Sequence, residues 1–384
     1  MGGLEKSLIN LCNNIDYNEY DVDLYLFNEG RELLPQLNKH VNLLPDSPYY
    51  AIVYNMSFFK SLKTLIKMKK FRLALYRIKR FIKARLHIGK FSKSDWRNMK
   101  KTMLKIDKHY DAAIGYEECS ADYYVADCVS ADVKSAWIHT DIKRTGGNKK
   151  LDKKTFGIVD YICTVSEYAK KSIIDLYPDT QKKIKVFYLP ALYDYEKIKV
   201  IAKEPINIDK DGFTIVAVGR LVELKGFHLC VEACARLLKD GYRLKFLLCG
   251  DGDYRQFVQD EIERFGVKES FVLLGNCLNP YKYINAADIC VQPSSYEGFG
   301  LSVYEEKLFN KAVVVSDIPA YRESITDQVN GLIVPRSADG IYQGLKRLLD
   351  DEKLLAEISA TPINNYKSKE ETVKGIVGTF YKNE

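Results

Sequence analysis

The 384 residues, 44.1 kDa and 46% hydrophobic content of this chain suffice for two globular domains, each with its own core. An ordinary charged fraction of 28%, with no low-complexity tract and no period of solenoid length, excludes intrinsic disorder, fibrous assembly and repeat architecture. The formal net charge of +7 hides an asymmetry: residues 60–108 hold 18 Lys/Arg against two acids, Asp95 and Asp107, a local +16 that leaves −9 elsewhere.

In chain order, Gly2 and Gly3 run straight into an amphipathic helix with Leu4, Leu8, Leu11 and Cys12 on one side. In a doubly wound sheet a glycine-rich turn follows the first, central strand, so the first strand of this domain is expected to be missing. Strands are predicted at 22–27, 112–116, 136–139, 161–165 and 185–188, which makes the N-terminal half an α/β domain. Between the first two lies the basic segment, where Phe71, Leu73, Leu75, Tyr76, Ile78, Phe81 and Ile82 interleave with the charges. It reads as a solvated basic helix face, as an interfacial surface for anionic lipid, or as a nucleic-acid surface. Lipid ranks above nucleic acid, which is not expected as a partner because no nucleic-acid-binding motif accompanies the charge.

A polar stretch at 202–212 marks the linker. Beyond it, short β-branched runs at 214–218, 245–249, 271–274, 289–292, 312–316 and 332–334 alternate with amphipathic stretches, the pattern of βαβ units around a parallel sheet. Several runs are apolar throughout, as strands covered on both faces should be. Gly241 is placed to end the helix carrying Cys230, Ala233, Cys234, Leu237 and Leu238. Residues 370–381 read as a last helix. The expected domains are 1–201, 202–365 and a C-terminal helix over 366–384 that packs back toward the first domain.

The nine cysteines are scattered, mostly in apolar runs, without a C-x-x-C pair, and read as reduced core residues. With no secretory signal and no apolar run near 18 residues, the expected location is the cytoplasm, with peripheral attachment to the inner face of the cell membrane through residues 60–108.

Two motifs carry chemistry. Tyr296-Glu297-Gly298-Phe299-Gly300-Leu301, followed by Glu305, comes just after the apolar strand ending at Gln292-Pro293. Gly298 and Gly300 leave the backbone open, so amide N–H groups and the positive end of a helix can receive a diphosphate. One carboxylate can accept from sugar hydroxyls, the other from a ribose. The plainer alternative is a helix start that is glycine-rich and acid-capped. Gly219-Arg220-Leu221-Val222-Glu223-Leu224-Lys225-Gly226 ends the strand at 214–218, where ligands of open α/β sheets sit. Cations at a helix start oppose its dipole, so Arg220 and Lys225 call for an anion. Asp251-Gly252-Asp253 has the D-x-D form of a divalent-metal site, but its turn context argues for structure, with Asp253 capping the next helix.

The order G-R-x4-K-G, Cys249-Gly250-Asp251-Gly252, Leu274-Gly275, Ala287-Asp288, Pro293-Ser294, E-G-F-G-L-x3-E and Asn330-Gly331-Leu332 resembles the retaining glycosyltransferases of family 4, the glycosyl transferases group 1. The match runs from about Val216 to Pro335. The resemblance implies the GT-B fold, two Rossmann-like doubly wound domains facing a cleft. It implies that residues matching Gly219, Arg220 and Lys225 hold the donor diphosphate, that Glu297 contacts the donor sugar and that Glu305 binds the ribose. The backbone of Gly298, Phe299, Gly300 and Leu301 completes the cradle, and the turn near Leu278 meets the base. In the N-terminal half, His139 resembles a histidine that faces the donor sugar, and Gly2-Gly3 a loop that approaches phosphate and acceptor.

The implied reaction is metal-independent, retaining transfer of a hexosyl or N-acetylhexosaminyl group. The donor is a nucleotide sugar, a UDP-sugar above others, with no cofactor, and the acceptor is a glycan or lipid-linked hydroxyl in surface polysaccharide or glycolipid synthesis. A non-catalytic partner of the same fold and a sugar-nucleotide epimerase remain alternatives. The chain departs from the family's pattern in the strand before Gly2, in Leu189 where an asparagine is usual, and in Lys307 where a small residue is.

Overall fold

The computed structural model describes residues 3–27, 34–86, 92–145, 147–188, 194–206, 212–364 and 369–380. They fall into two compact units, one from Gly3–Leu192 with Lys369–Glu384 and the other from Tyr193–Ser368.

In the first unit, β1 (Asp23–Leu24) and β2 (Asn42–Leu43) pair with each other in a small parallel sheet. A separate parallel sheet runs in the order β3 (His109–Gly115), β4 (Ser130–Ile138), β5 (Tyr161–Thr164) and β6 (Ile184–Val186). The strand expected over 22–27 shrinks to two residues, and β2 escaped notice because it is as short and half polar. Among the described residues no strand precedes the helix Gly3–Asn14. Side chains do what a ladder would otherwise do between β1 and the main sheet. Asp23 accepts from the Tyr110 hydroxyl at 2.7 Å and from Lys108 Nζ at 3.0 Å, and the Tyr25 hydroxyl accepts from the Leu104 amide at 3.0 Å. The final helix, Lys369–Gly378, belongs to this unit, with Ile376 buried.

The second unit is one parallel sheet of β7 (Phe213–Val218), β8 (Leu244–Cys249), β9 (Phe271–Gly275), β10 (Ile289–Gln292), β11 (Ala312–Ser316) and β12 (Leu332–Val334). Its spatial order is β12-β11-β10-β7-β8-β9. The chain therefore lays strands outward on one side of β7, then returns to the other side of β7 with β10. The order reverses between β7 and β10, and ligands of open α/β sheets bind outside the carboxyl ends of strands at such a reversal. All six strands were legible because both sheet faces are covered: every residue of β10 and β11 is buried. Cys230, Val231, Cys234 and Leu237 of the helix His228–Lys239 join Ile341, Leu345 and Leu348 of Ala338–Asp350 in its main core. All nine cysteines are free thiols.

Residues 194–201 depart from the expected boundary. They form the helix Tyr195–Ile201, whose end is held by second-unit side chains: Asn279 Nδ2 donates to Ile201 O at 2.7 Å and Asn285 Nδ2 to Ala202 O at 3.3 Å.

Lys307 is explained by packing. Its side chain lies buried beneath the helix Glu352–Ala360 and donates to Ile358 O at 2.6 Å and Lys311 O at 3.2 Å. The carbonyls at a helix C-terminus lack intrahelical partners and favour a cation. Burial lowers the ammonium to about 8. Lys307→Met, which keeps the bulk but orphans both carbonyls, is expected to cost roughly 1–3 kcal/mol of stability, read by urea unfolding of the whole chain. An unchanged midpoint would refute this role.

Candidate functional site

The loops at the strand-order reversal are stitched together before any ligand arrives. The Ser295 amide donates to Leu224 O at 2.7 Å, so the segment after β10 lies on the segment after β7. Arg336 Nε donates to Pro293 O at 3.1 Å from the far side. Gly226, at φ +69°, ends the short turn Glu223–Lys225, and a Cβ there would stand 2.5 Å from Pro293 O. The loop after β8 approaches as closely: a Cβ on Gly250 would lie 1.8 Å from Gly219 O. Three chain segments thus meet where only glycine fits.

This scaffold fixes Lys225. Its ammonium, mostly buried, sits 2.6 Å from Glu297 Oε1. The same oxygen accepts from Ser294 Oγ at 2.7 Å and from the Tyr321 hydroxyl at 3.4 Å. Glu297 stands just ahead of the helix Leu301–Leu308, whose N-cap is Gly300 at φ +91°, with no side chain capping it. The leading amides of Leu301 and Ser302 meet no acceptor among the described residues. A Cβ on Gly300 would lie 2.6 Å from the Tyr321 ring, so the residue that opens the helix also lets Tyr321 reach Glu297. Arg220, five residues before Lys225, is exposed and has no hydrogen-bond or ion-pair partner among the described residues. Chemically this is one cation already matched to a carboxylate, one cation unmatched, and a helix end with unused donors, which together suit an anion.

Glu305 lies one turn into the helix, buried, and accepts from the Tyr281 hydroxyl at 3.0 Å. This bond ties the helix to the segment after β9, where Leu278 is 85% exposed at the turn. Beneath them Glu306 is wholly buried. Its Oε1 accepts from Gln292 Nε2 at 2.6 Å while Oε2 has no partner, and burial drives the carboxyl well above its ordinary range. Glu306 is therefore a neutral acid in the floor of the site.

Asp253 does not cap the next helix. The helix Arg255–Phe265 is N-capped by Tyr254, without a side-chain bond, and it is Asp251 that turns back to accept from the Gly252 amide at 2.8 Å. A Cβ on Gly252 would stand 2.4 Å from Leu221 O, so the loop is shaped by close approach to the segment after β7. Among the described residues no group of three or more His, Cys, Asp or Glu is arranged to hold a metal.

His139 belongs to the first unit, at the end of β4. Its amide donates to Glu118 Oε2 at 3.1 Å, and its ring lies against Tyr116 and Trp137, with centroids 4.8 and 5.8 Å away. The ring bonds the backbone of Tyr116 and leaves Nε2 without a partner, while burial lowers the imidazole to about 4. A neutral ring with a buried, unpartnered Nε2 follows. Gly3 opens the first helix, packed through Ser7, which accepts from the Tyr116 hydroxyl at 3.2 Å; Gly2 and Leu189 lie outside the described residues.

Sequence reasoning missed Tyr281, Tyr321, Arg336 and the Gln292–Glu306 pair. Arg336 left one usable trace, a cation just past the carboxyl end of β12, on the side of the sheet where ligands sit.

The architecture defines the class. HepE of Anabaena in complex with UDP superposes with a TM-score of 0.64 at 15% identity, over 98% of this chain and 96% of that one. A glycosyltransferase of Rickettsia africae does so with a TM-score of 0.65 at 16% identity, over 100% and 96%. The chain has the GT-B fold of such glycosyltransferases. Residues 199–364 match the family of glycosyl transferases group 1, and the second unit carries a domain of that family. An uncharacterised glycosyltransferase of Methanocaldococcus jannaschii is 30% identical over 229 residues, 55% of this chain and 58% of that protein. A Campylobacter jejuni N-acetylgalactosaminyltransferase, named as acting on a diphospho-undecaprenol-linked sugar, is 32% identical over 209 residues, 54% of this chain and 55% of the relative. The matched span is thus little more than half of each relative.

Glu306 supplies a pH signature. Folded, it keeps its proton; unfolded, it ionises above about 4.5. The fold therefore binds the extra proton, and its stability contribution, complete below 4.5, is lost as pH rises. Glu306→Gln removes that loss. The variant is expected to melt above the wild type at pH 8 and level with it near pH 4.5, by calorimetry at several pH values; a gap that widens toward acid would contradict the assignment.

Proposed function

We propose that this protein is a retaining glycosyltransferase that moves a sugar from a nucleoside-diphosphate donor, a UDP-sugar above others, to a hydroxyl of a glycan or lipid-linked acceptor in polysaccharide or glycolipid synthesis. The reading rests on the partly buried Lys225–Glu297 pair beside the uncapped start of Leu301–Leu308 at the strand-order reversal. In the unliganded protein each partner neutralises the other. Both face a change of partner when the donor binds: Lys225 to the diphosphate, Glu297 to the sugar hydroxyls.

Arg220, with no competing carboxylate, joins Lys225 and the amides of Gly298 to Leu301 around the phosphates. Gly219 keeps the loop close, Glu305 takes the ribose, and the turn at Leu278 the base. His139 offers Nε2 as acceptor to a donor-sugar hydroxyl. The bond from the anomeric carbon to the phosphate oxygen breaks while the acceptor oxygen bonds the same face. The departing diphosphate takes the acceptor proton, its charge met by Arg220, Lys225 and the helix start without a metal. Glu297 and Glu305 are committed to donor hydroxyls, so a two-carboxylate glycosidase scheme does not apply.

Incubating a panel of nucleotide sugars with glycan and lipid-linked acceptors, and analysing products, tests this. Transfer with retained configuration is expected, and Glu297→Gln should lower it by at least about 10²-fold. Donor consumed equally without acceptor would instead identify an epimerase. Full transfer by the variant would overturn the role of Glu297, and no turnover of any donor would favour a non-catalytic partner.

A further inference from the structure

Two helices of the basic segment, Phe58–Lys67 and Phe71–Arg85, pack against each other as a hairpin on a small core of their own, which includes Ile52, Val53, Leu65, Ala74 and Tyr76. That core uses only their inner sides. Outward, Phe71, Leu75, Ile82 and Leu86 recur at spacings that bring them to one side of the second helix, and they are 59%, 60%, 49% and 59% exposed. On the first helix Phe59 and Ile66 are likewise turned to solvent, 81% and 49% exposed. Of fifteen exposed large hydrophobic residues among the described ones, seven fall within residues 59–86. A merely solvated basic face would put its charges outward and its apolar groups inward; this hairpin puts both outward.

The charges divide into two sets. Arg77 and Arg80 turn inward: Arg77 donates to Met56 O at 3.2 Å and lies over the Phe58 ring, and Arg80 donates to Val53 O at 3.4 Å and lies over the Tyr54 ring. They hold the hairpin to its unit. Lys60, Lys63, Lys67, Arg72 and Lys79 are exposed, with no carboxylate partner among the described residues. No Asp or Glu occurs from Ser47 to Ser94, and within the hairpin Lys83 is the cation that finds one, Asp95 at 3.1 Å.

We propose that this hairpin is a membrane-docking element that lies in the headgroup layer of an anionic bilayer. Phe59, Ile66, Phe71, Leu75, Ile82 and Leu86 reach the acyl boundary, and the outward lysines and Arg72 meet lipid phosphates. Large aliphatic groups interleaved with cations gain from a bilayer interface, where each kind has a matching layer. A nucleic-acid backbone would leave the aliphatic groups without a counterpart. No described helix is long and apolar enough to cross a membrane, so the hairpin rests on the surface. The inference stands apart from the glycosyl-transfer reading and is tested without it.

The full chain is floated with vesicles of phosphatidylglycerol and phosphatidylcholine, and with phosphatidylcholine alone, beside two variants. One carries Lys60→Gln, Lys63→Gln, Lys67→Gln and Lys79→Gln; the other carries Phe59→Ser, Leu75→Ser and Ile82→Ser. All changed positions are solvent-exposed, and unchanged far-ultraviolet dichroism and melting midpoint confirm folding. Binding to the anionic vesicles alone, weakened by salt and reduced at least tenfold in both variants, is expected. Absence of wild-type binding overturns the proposal. So does a loss confined to the lysine variant, which would mean adsorption without insertion. Tighter binding of wild type to duplex RNA or DNA at the same ionic strength would assign the surface to nucleic acid. A vesicle-free dimer that either variant dissolves would assign it to a second copy.

Discussion

The second unit turns on the contact between the segments that leave β7 and β10. These neighbouring parallel strands lead to strands laid on opposite sides of them in the sheet, yet the segments that leave them touch, the Ser295 amide reaching Leu224 O at 2.7 Å. One backbone bond thus sets the distance between a lysine of one loop and a glutamate of the other. Glycine makes the approach feasible, at Gly226 against Pro293 O and at Gly250 against Gly219 O, where any side chain would force the segments apart.

Electrostatics at this place is organised by what is already neutral. Lys225 is matched by Glu297, and Glu306 holds its proton because ionising it in the floor would bury an uncompensated charge beside the Glu297–Lys225 pair. What remains is positive: the unmatched Arg220 and the unused amides of Leu301 and Ser302. An arriving anion therefore meets donors that need no reorganisation of the sheet, and the lysine pair is the part that must rearrange. In the first unit His139 follows the same rule, neutral because burial among aromatic rings outweighs its bond to the Tyr116 backbone, which favours the charged form.

Much of this was legible in the sequence. The six strands of the second unit could be read because a strand buried on both faces has no polar side to hide it, and the glycines at 298 and 300 marked an open backbone at the start of a helix. Other features depend on long-range partners that no local pattern encodes. Tyr281 finds Glu305 and Tyr321 finds Glu297 across 24 positions in each case, and Arg336 finds Pro293 across 43. The helix Tyr195–Ile201 was placed in the first domain because the polar stretch after it, 202–212, read as the linker, and nothing local signals Asn279 and Asn285, which claim its end. Asp253 looked like a cap because its position was right, yet the chain enters that helix through Tyr254. In the basic segment, composition gave the charge but not its division into Arg77 and Arg80, spent on the domain, and the lysines left outside.

The central claim is that Lys225 exchanges Glu297 for a terminal phosphate. Titration calorimetry of UDP, ADP and GDP against the corresponding monophosphates, on the wild type and Lys225→Ala, addresses it directly. At least one diphosphate should bind tenfold or more tightly than its monophosphate, and that margin should vanish in the variant. Equal affinities for all three pairs, or a margin that survives loss of the lysine, would contradict the account.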